Sequence, residues 1–342
     1  MSRQRHAVHV GNPRTVVIPA VVHSLTLMHK YAVDGRSNPL VARRSEAMDE
    51  AWARLLFAQG GVATHQQLRA HLTRRGLEQR RDRGDVERIW PGVYSLPEPD
   101  LFTRLRGIDL SAGVTVPACL GTAAALHGFD TEDVVEIHVL NPHGHQLRPA
   151  EGLVIHRRNG APLCLVDGRP VTTPPWTCVE VARALRRPRA LATLDAALSR
   201  GVCTREELWR AAQRQSGRRG IVAVRELIPL ADGLAESPME SEARLAMLDG
   251  GLPAPVLQYE IVDANYRRWR VDFAWPDLRV AAEYEGVDWH SSLAAWRRDR
   301  ERCAALQQVG WNVVPILADD VRRRPGDMVR RINAQLERAG AA

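Results

Sequence analysis

The sequence predicts an α+β chain of several domains. Three observations carry that prediction. With 342 residues and 45% hydrophobic content, the chain is globular and long enough for two or three domains. Residues 48–96 set short amphipathic helices before a small two-stranded ending. Residues 234–342 set a helix with an acidic first turn, an acidic hairpin, a basic helix, a strand and a helix.

Residues 1–47 mix Arg, His, Gly, Asn and Pro without a sustained period, and Met48 stands directly before the first amphipathic helix. They read as a disordered extension or a mis-called start. The apolar run Val16–Met28 is interrupted by Pro19 and His23 and is too short to span a bilayer. No clean apolar core leads to a small-residue cleavage site, so neither a signal peptide nor a membrane partner is expected. Cys119, Cys164, Cys178, Cys203 and Cys303 show neither C-x-x-C spacing nor an even count, and read as small core residues in a reducing cytosol.

The net charge of +7 points toward nucleic acid. Its distribution weakens that signal: +5 falls in residues 1–47, +2 in 48–90, +2 in 91–233 and −2 in 234–342. Only local basic faces therefore count. The excess of arginine over the single lysine, Lys30, reflects GC-rich coding more simply than tuned phosphate recognition.

From Met48 the pattern sharpens. Asp49–Gln59 reads as a helix stopped by Gly60-Gly61, Thr64 caps a second helix to Leu72, and Thr73 caps a third. The third carries Arg74, Arg75, Arg80, Arg81 and Arg83, although Gly76 weakens it. Val86–Trp90, Pro91-Gly92 and Val93–Leu96 then form a short hairpin. Three small helices and a β-wing make a winged helix, whose third helix would enter the major groove while the wing meets the backbone. Arg74, Arg75, Arg80 and Arg81 are the expected DNA contacts. The stretch from Gly61-Val62-Ala63-Thr64 to Trp90-Pro91-Gly92-Val93-Tyr94 resembles the N-terminal winged helix of AbiEi-type antitoxins.

Residues 97–233 read as an α+β connector without visible chemistry. Gly121–Phe129 is a small-residue helix ending at glycine, with His127 in a packing or hydrogen-bonding role. Val134–Leu140 and Leu153–His156 are strands; helices follow near Thr177–Leu185, Ala190–Ser199 and Thr204–Gln213, and Ser216–Gly220 is a loop. His138, His143, His145 and His156 lack the tight ligand spacing of a metal site. The region resembles the middle part that accompanies such winged helices in AbiEi-like proteins.

In the last third, Arg268–Trp275 and Val280–Glu285 flank Pro276-Asp277-Leu278-Arg279, the composition of a hairpin. A four-residue loop pairs Trp275 with Val280 and sets Asp272 opposite Glu283. Alternation then puts Trp269, Val271, Phe273, Trp275, Val280, Ala282 and Tyr284 on one face. Asp272, Ala274, Ala281, Glu283 and Glu285 lie on the other. Opposed like charges destabilise a strand pair. Either a divalent cation sits between them, or arginines such as Arg270 and Arg279 meet a solvated acidic face. Ser237-Pro238-Met239-Glu240 opens a helix with a capping box and Pro at its first position. Ser291-Ser292 caps a helix of about 17 residues ending near Gly310. Its buried side holds Leu293, Trp296, Cys303, Leu306 and Val309. Trp311–Leu317 is a strand.

That order, with Ser237-Pro238-x-Glu240-Ser241, Asp272, Glu283-Tyr284-Glu285-Gly286, His290, Arg298-Asp299-x-x-Arg302 and Gly310-Trp311-x-Val313-Val314, resembles the PD-(D/E)XK superfamily. The likeness is to its very-short-patch-repair-like (Vsr-like) branch. The resemblance implies an α/β restriction-endonuclease-like domain in which Asp272 and Glu283 hold Mg²⁺ or Mn²⁺. It makes Glu240 an accessory carboxylate, places His290 near the attacking water or the scissile phosphate, and has Arg298 and Arg302 contact the DNA backbone. The superfamily's lysine falls at Glu285, which leaves the water-activating group unassigned. On the residues alone, Glu240 can equally be only a capping acid, His290 a solvated loop residue, and Asp299 a partner of nearby arginines.

Two functions follow. The expected one is a metal-dependent DNA endonuclease targeted by the winged helix, because a domain used only for binding gains nothing from opposed carboxylates. The alternative is an antitoxin-like DNA-binding transcriptional regulator whose nuclease fold is inactive. DNA is the partner in both; a toxin partner or a second copy of the chain is compatible with either.

Overall fold

The computed structural model describes residues 51–129, 131–133, 135–158, 160–286 and 293–341. The chain divides into two units, Met1–Arg54 and Leu55–Ala342; in the first, residues 51–54 are helical. The expected extension over 1–47 lies outside the described residues. In the second unit, helices accompany one three-stranded, one four-stranded and two two-stranded sheets, the α+β organisation that the sequence predicts.

Residues 55–58 are helical, followed by β1 (Val62–Thr64), α1 (His65–Arg69), α2 (Arg74–Asp82), β2 (Glu87–Trp90) and β3 (Val93–Ser95). Thr64 starts α1 with a reciprocal capping box, its hydroxyl accepting from Gln67 N at 3.2 Å while Gln67 Oε1 accepts from Thr64 N at 2.8 Å. Thr73 caps α2 through Gly76 N at 3.0 Å. Gly76 thus serves the cap rather than interrupting the helix. Pro91-Gly92 turns β2 into β3, with Gly92 at φ +74°. The sheet order is β1-β3-β2, so β3 is central. β1 was not expected; three residues are too few for alternation to reveal a strand.

The middle region opens with α3 (Leu101–Ala112), capped by Asp100 accepting from Thr103 N at 2.7 Å and closed by Gly113 in the left-handed region. α4 (Leu120–His127) ends at Gly128, as expected. β4 (Ile137–Leu140) and β5 (Leu153–His156) pair in parallel. β6 (Leu163–Val166) and β7 (Arg169–Thr172) form a hairpin about Asp167-Gly168, both at positive φ. Ala118 bridges to Val139 of β4 and Val171 of β7. α5 (Pro174–Ala182), α6 (Arg187–Ser199), α7 (Arg205–Arg214) and α8 (Ile221–Leu227) then close around Leu191, Leu194, Leu208 and Leu227, all fully buried. These helices enclose an apolar core that Leu245, further along the chain, also joins.

The C-terminal part runs α9 (Pro238–Asp249), β8 (Val256–Val262), β9 (Arg268–Trp275), β10 (Val280–Tyr284), α10 (Leu293–Gln308), β11 (Asn312–Ile316), α11 (Ala318–Arg322) and α12 (Pro325–Gly340). The sheet order is β11-β10-β9-β8, antiparallel from β8 to β10 with β11 parallel to β10. The expected hairpin forms with Val280 opposite Trp275, and Arg279 takes the left-handed conformation at its turn. β8 was not foreseen.

Two details correct the sequence reading. The ladder between β9 and β10 ends at Ala282–Phe273, one pair short of Asp272 and Glu283. The simple alternation also breaks at Asp272. Phe273 and Trp275 pack with Val280, Ala282 and the α9 and α12 side chains Ala243, Met247 and Ile332. Val271 and Trp269 instead join Ala274, Ala281, Leu306 and Trp311 on the α10 side. The break lies beside Gln258 of β8, a non-glycine residue at φ +50°.

α9 belongs to two cores. Leu245 packs with the α6–α8 helices, whereas Ala243 and Met247 pack on the four-stranded sheet. Through α9, packing is continuous from the α6–α8 helices to the sheet.

Candidate functional site

Two groups of predicted residues can be placed. The first is the basic face of α2. Arg74 and Arg75 at its start and Arg81 near its end are exposed. Arg74 Nε donates to Glu78 at 3.2 Å, an exposed pair one turn apart of small energetic weight. Arg81 lies 3.9 Å from Asp82. Arg80 differs: it is buried and Nη1 donates to Asp85 Oδ2 at 3.1 Å, so its charge serves the fold beside Leu77 and is not presented with the others. His65 N donates to Gly92 O at 2.7 Å, which fastens the start of α1 to the turn between β2 and β3. The exposed arginines therefore project from a braced element.

The second group is acidic and lies where β8, β9 and α9 meet. Asp272 Oδ2 accepts from Tyr284 N at 2.9 Å, filling the place where the β9–β10 ladder stops. Burial pushes its carboxyl above the usual range, against the lowering effect of that N–H bond and of Arg302. Glu240 Oε2 accepts from Glu236 N at 2.9 Å and from Gln258 Nε2 at 3.0 Å. Its carboxyl is also raised, first by burial, with Asp272 and Glu236 adding negative potential. The expected capping box is half formed: Ser237 accepts from Glu240 N at 3.2 Å, but the Glu240 carboxylate reaches the amide of Glu236. Gln258 Oε1 is buried and unpartnered next to this group.

Glu283 is met by a cation of the chain itself. Arg302 of α10 donates to Glu283 Oε1 and, at 2.7 Å, to Arg270 O. Arg302 is thus turned toward the sheet, whereas Arg297, Arg298 and Arg300 on the same helix are exposed. Arg270 pairs with Glu236 at 2.7 Å. Glu285 is exposed at the end of β10. His290, the Ser291-Ser292 cap and the side chains of Leu293, Trp296 and Asp299 lie outside the described residues.

Mg²⁺ between Asp272 and Glu283 requires free oxygens on both. Each has one oxygen already committed, to Tyr284 N and to Arg302. Among the described residues no three His, Cys, Asp or Glu side chains are grouped to share an ion. As placed, the acids form a cluster met by N–H donors and an arginine, so an ion between Asp272 and Glu283 would have to use their other oxygens or displace Arg302.

In the middle region His127 Nε2 donates to Thr172 O at 2.8 Å, with its ring stacked on Phe129. His138 Nδ1 and His156 Nε2 lie 3.0 Å apart, and burial lowers both pKa values, that of His156 to about 4. Gln258 and the arginines around Glu180 were missed by sequence reasoning. A lone Gln in an unrecognised strand, and arginines scattered over residues 158–218, give no local pattern.

Comparison with known proteins fits this architecture. Residues 116–230 match the AbiEi antitoxin C-terminal domain, and so cover the region where that resemblance was expected. Two curated proteins of Mycobacterium tuberculosis, the uncharacterized protein MT2308 of strain CDC 1551 / Oshkosh and the uncharacterized protein Rv2248 of strain ATCC 25618 / H37Rv, are similar at full length. Each is 56% identical over 271 residues, covering 79% of this chain and 100% of its own. No described helix is long and apolar enough to cross a membrane.

Proposed function

The chain belongs to the family of these Mycobacterium tuberculosis proteins, and from its antitoxin-type domain at 116–230 we propose that it is a DNA-binding, antitoxin-like transcriptional regulator. The domain match is the observation that carries this reading. α2 and the β2–β3 hairpin act as a winged helix: α2 enters the major groove and the hairpin meets the backbone. Arg74, Arg75 and Arg81 contact phosphate, while Arg80 holds the element together. The body at 116–230 is the surface for a toxin partner. On this reading the C-terminal sheet serves as a binding domain, which accords with Arg302 occupying Glu283.

The test is fluorescence anisotropy of full-length protein on a duplex from its own upstream region, across a salt series. Arg75→Ala should weaken binding and reduce the salt slope by about 1, since each phosphate contact releases about one counterion. Its melting temperature should stay unchanged. Arg80→Ala should instead lower the melting temperature, because it removes a buried side chain that packs in the element and pairs with Asp85. Equal binding by wild type and Arg75→Ala would reject this face.

A second reading, Mg²⁺-dependent DNA cleavage, is favoured by the approach of Asp272 and Glu240, both of which interact with Gln258. It requires Arg302 to release Glu283. Supercoiled plasmid added to the same protein with Mg²⁺ or Mn²⁺ separates the two: nicking lost in both Asp272→Ala and Glu283→Ala supports cleavage, whereas a shift without nicking supports the regulator.

A further inference from the structure

Glu180, on α5, is fully buried, and three arginines from three segments converge on it. Arg158 follows β5, Arg183 caps the end of α5, and Arg218 lies between α7 and α8. All three address one oxygen. Arg158 donates to Oε1, Arg218 Nη1 donates to it at 2.9 Å, and Arg183 Nη2 lies 3.9 Å from it. The second oxygen, Oε2, is buried without a partner. Three guanidiniums thus share one carboxylate, and two positive charges are left over. The electrostatic neighbours of Arg183 are Arg158, Glu180 and Arg218, and burial with those two arginines lowers its pKa. Among the described residues, Glu180 is the acid within 4.0 Å of these three arginines.

A group of polar atoms without partners marks the same place. Trp176 Nε1, Arg183 Nε, Glu180 Oε2 and Gln215 Oε1 are all buried and unpartnered, although Gln215 and Trp176 are linked by Gln215 Nε2 donating to Trp176 O at 3.1 Å. Arg218 is fixed from the other side by the Trp176 ring, its guanidinium 4.9 Å from the centroid. Buried polar groups of native proteins are nearly always satisfied, so this concentration needs an explanation. A neutralising network built only for Glu180 would need one arginine.

We propose that Arg158, Arg183 and Arg218, held in an arc by Glu180, form a binding site for a terminal phosphate: inorganic phosphate or the end group of a small phosphomonoester. Guanidinium forks match phosphate oxygens, and charge-assisted hydrogen bonds of this kind are the strong ones. Side-chain exposures of 22%, 14% and 27% make the arc reachable from solvent but recessed. That recess favours a chain end over the continuous backbone of a duplex. The site lies within residues 116–230 and does not depend on the DNA-binding face of α2.

The test uses the full chain in isothermal titration and thermal-shift assays at constant ionic strength, with chloride replaced by inorganic phosphate, by glycerol phosphate, or by duplex DNA in separate arms. Wild type should bind phosphate saturably, and its melting temperature should rise by roughly 5–10 °C at a hundredfold excess over Kd. Arg218→Gln, the most exposed of the three, should fold and bind about tenfold more weakly, the usual scale for one lost charge-assisted contact. Glu180→Gln removes the internal competitor and should bind phosphate more tightly than wild type. An equal melting shift in wild type and Arg218→Gln would be general salt stabilisation and would overturn the site. So would binding in Glu180→Gln no tighter than in wild type, or duplex DNA saturating the site in place of the small phosphates.

Discussion

Asp272 shows how a single residue can mislead a sequence reading while still marking the right place. Its position in the hairpin was legible, and so was the gathering of acids around it. The sequence could not show that its carboxylate would take the amide of Tyr284 and end the ladder there, because that depends on how two strands diverge. Burial raises its folded pKa, so the folded state holds the proton more tightly than the unfolded chain. The resulting penalty is absent below the unfolded carboxylate pKa and fully present above the folded one; stability from this group falls as pH rises between them. Asp272→Asn keeps an acceptor for Tyr284 N and removes the charge. It should raise the melting temperature at pH 7 by about 2 °C, with the difference from wild type disappearing below pH ~4. Calorimetry of both proteins across that range checks it, and a gain that persists at low pH would assign the effect to packing. The same local blindness hid Arg80 and Arg302. On α2 the arginines look equivalent in sequence, and only the position of Asp85 in the following turn draws one of them inward.

At the scale of elements, helices with caps were the most legible. Thr64, Thr73 and Thr204 each begin a helix where a threonine precedes a periodic run. The β6–β7 hairpin could have been found: Leu-Val-Asp-Gly-Arg-Pro-Val carries the Asp-Gly turn that two-residue hairpins favour. β4 and β5 were seen as strands, but their parallel pairing is made across the irregular connection 141–152, which carries no pattern that fixes strand direction. Glycines inside helices separate two cases. Gly121 of α4 has open space where a Cβ would sit and an ordinary backbone conformation, so Gly121→Ala should stabilise by about 0.5 kcal/mol through unfolded-state entropy. At Gly76 a Cβ would lie 3.2 Å from the capping hydroxyl of Thr73. There the helix-propensity gain of about 1 kcal/mol meets the loss of a cap worth about the same, and Gly76→Ala should be near neutral. Denaturant titrations of the two variants decide this; an equal gain at both positions would mean that Thr73 moves without cost.

The whole molecule turns on α9. Its sequence, PMESEARLAMLD, showed where a helix begins but not that both sides would be covered, because the second partner, α6, lies far away in the chain. Arg244 of α9 is buried and donates to Asp195 of α6 at 2.7 Å and to Leu230 O at 2.6 Å, while Asp195 Oδ1 accepts from Asp232 N at 2.8 Å. Burial raises the pKa of Asp195, and Arg244 works against that shift. Such a pair adds little over apolar packing, but removing one partner leaves a buried charge and costs about 3–5 kcal/mol. The helical body within residues 116–230 and the C-terminal sheet should therefore unfold together, in one calorimetric transition at neutral pH. Arg244→Ala should lower that transition by roughly 10 °C and divide it in two, the sheet losing its hold on the helices while Ala243 and Met247 still pack on β9 and β10. Two resolved transitions in the wild type would mean that the shared helix does not couple the parts. A single transition, divided by Arg244→Ala, would make α9 the element through which binding on one part is felt by the other.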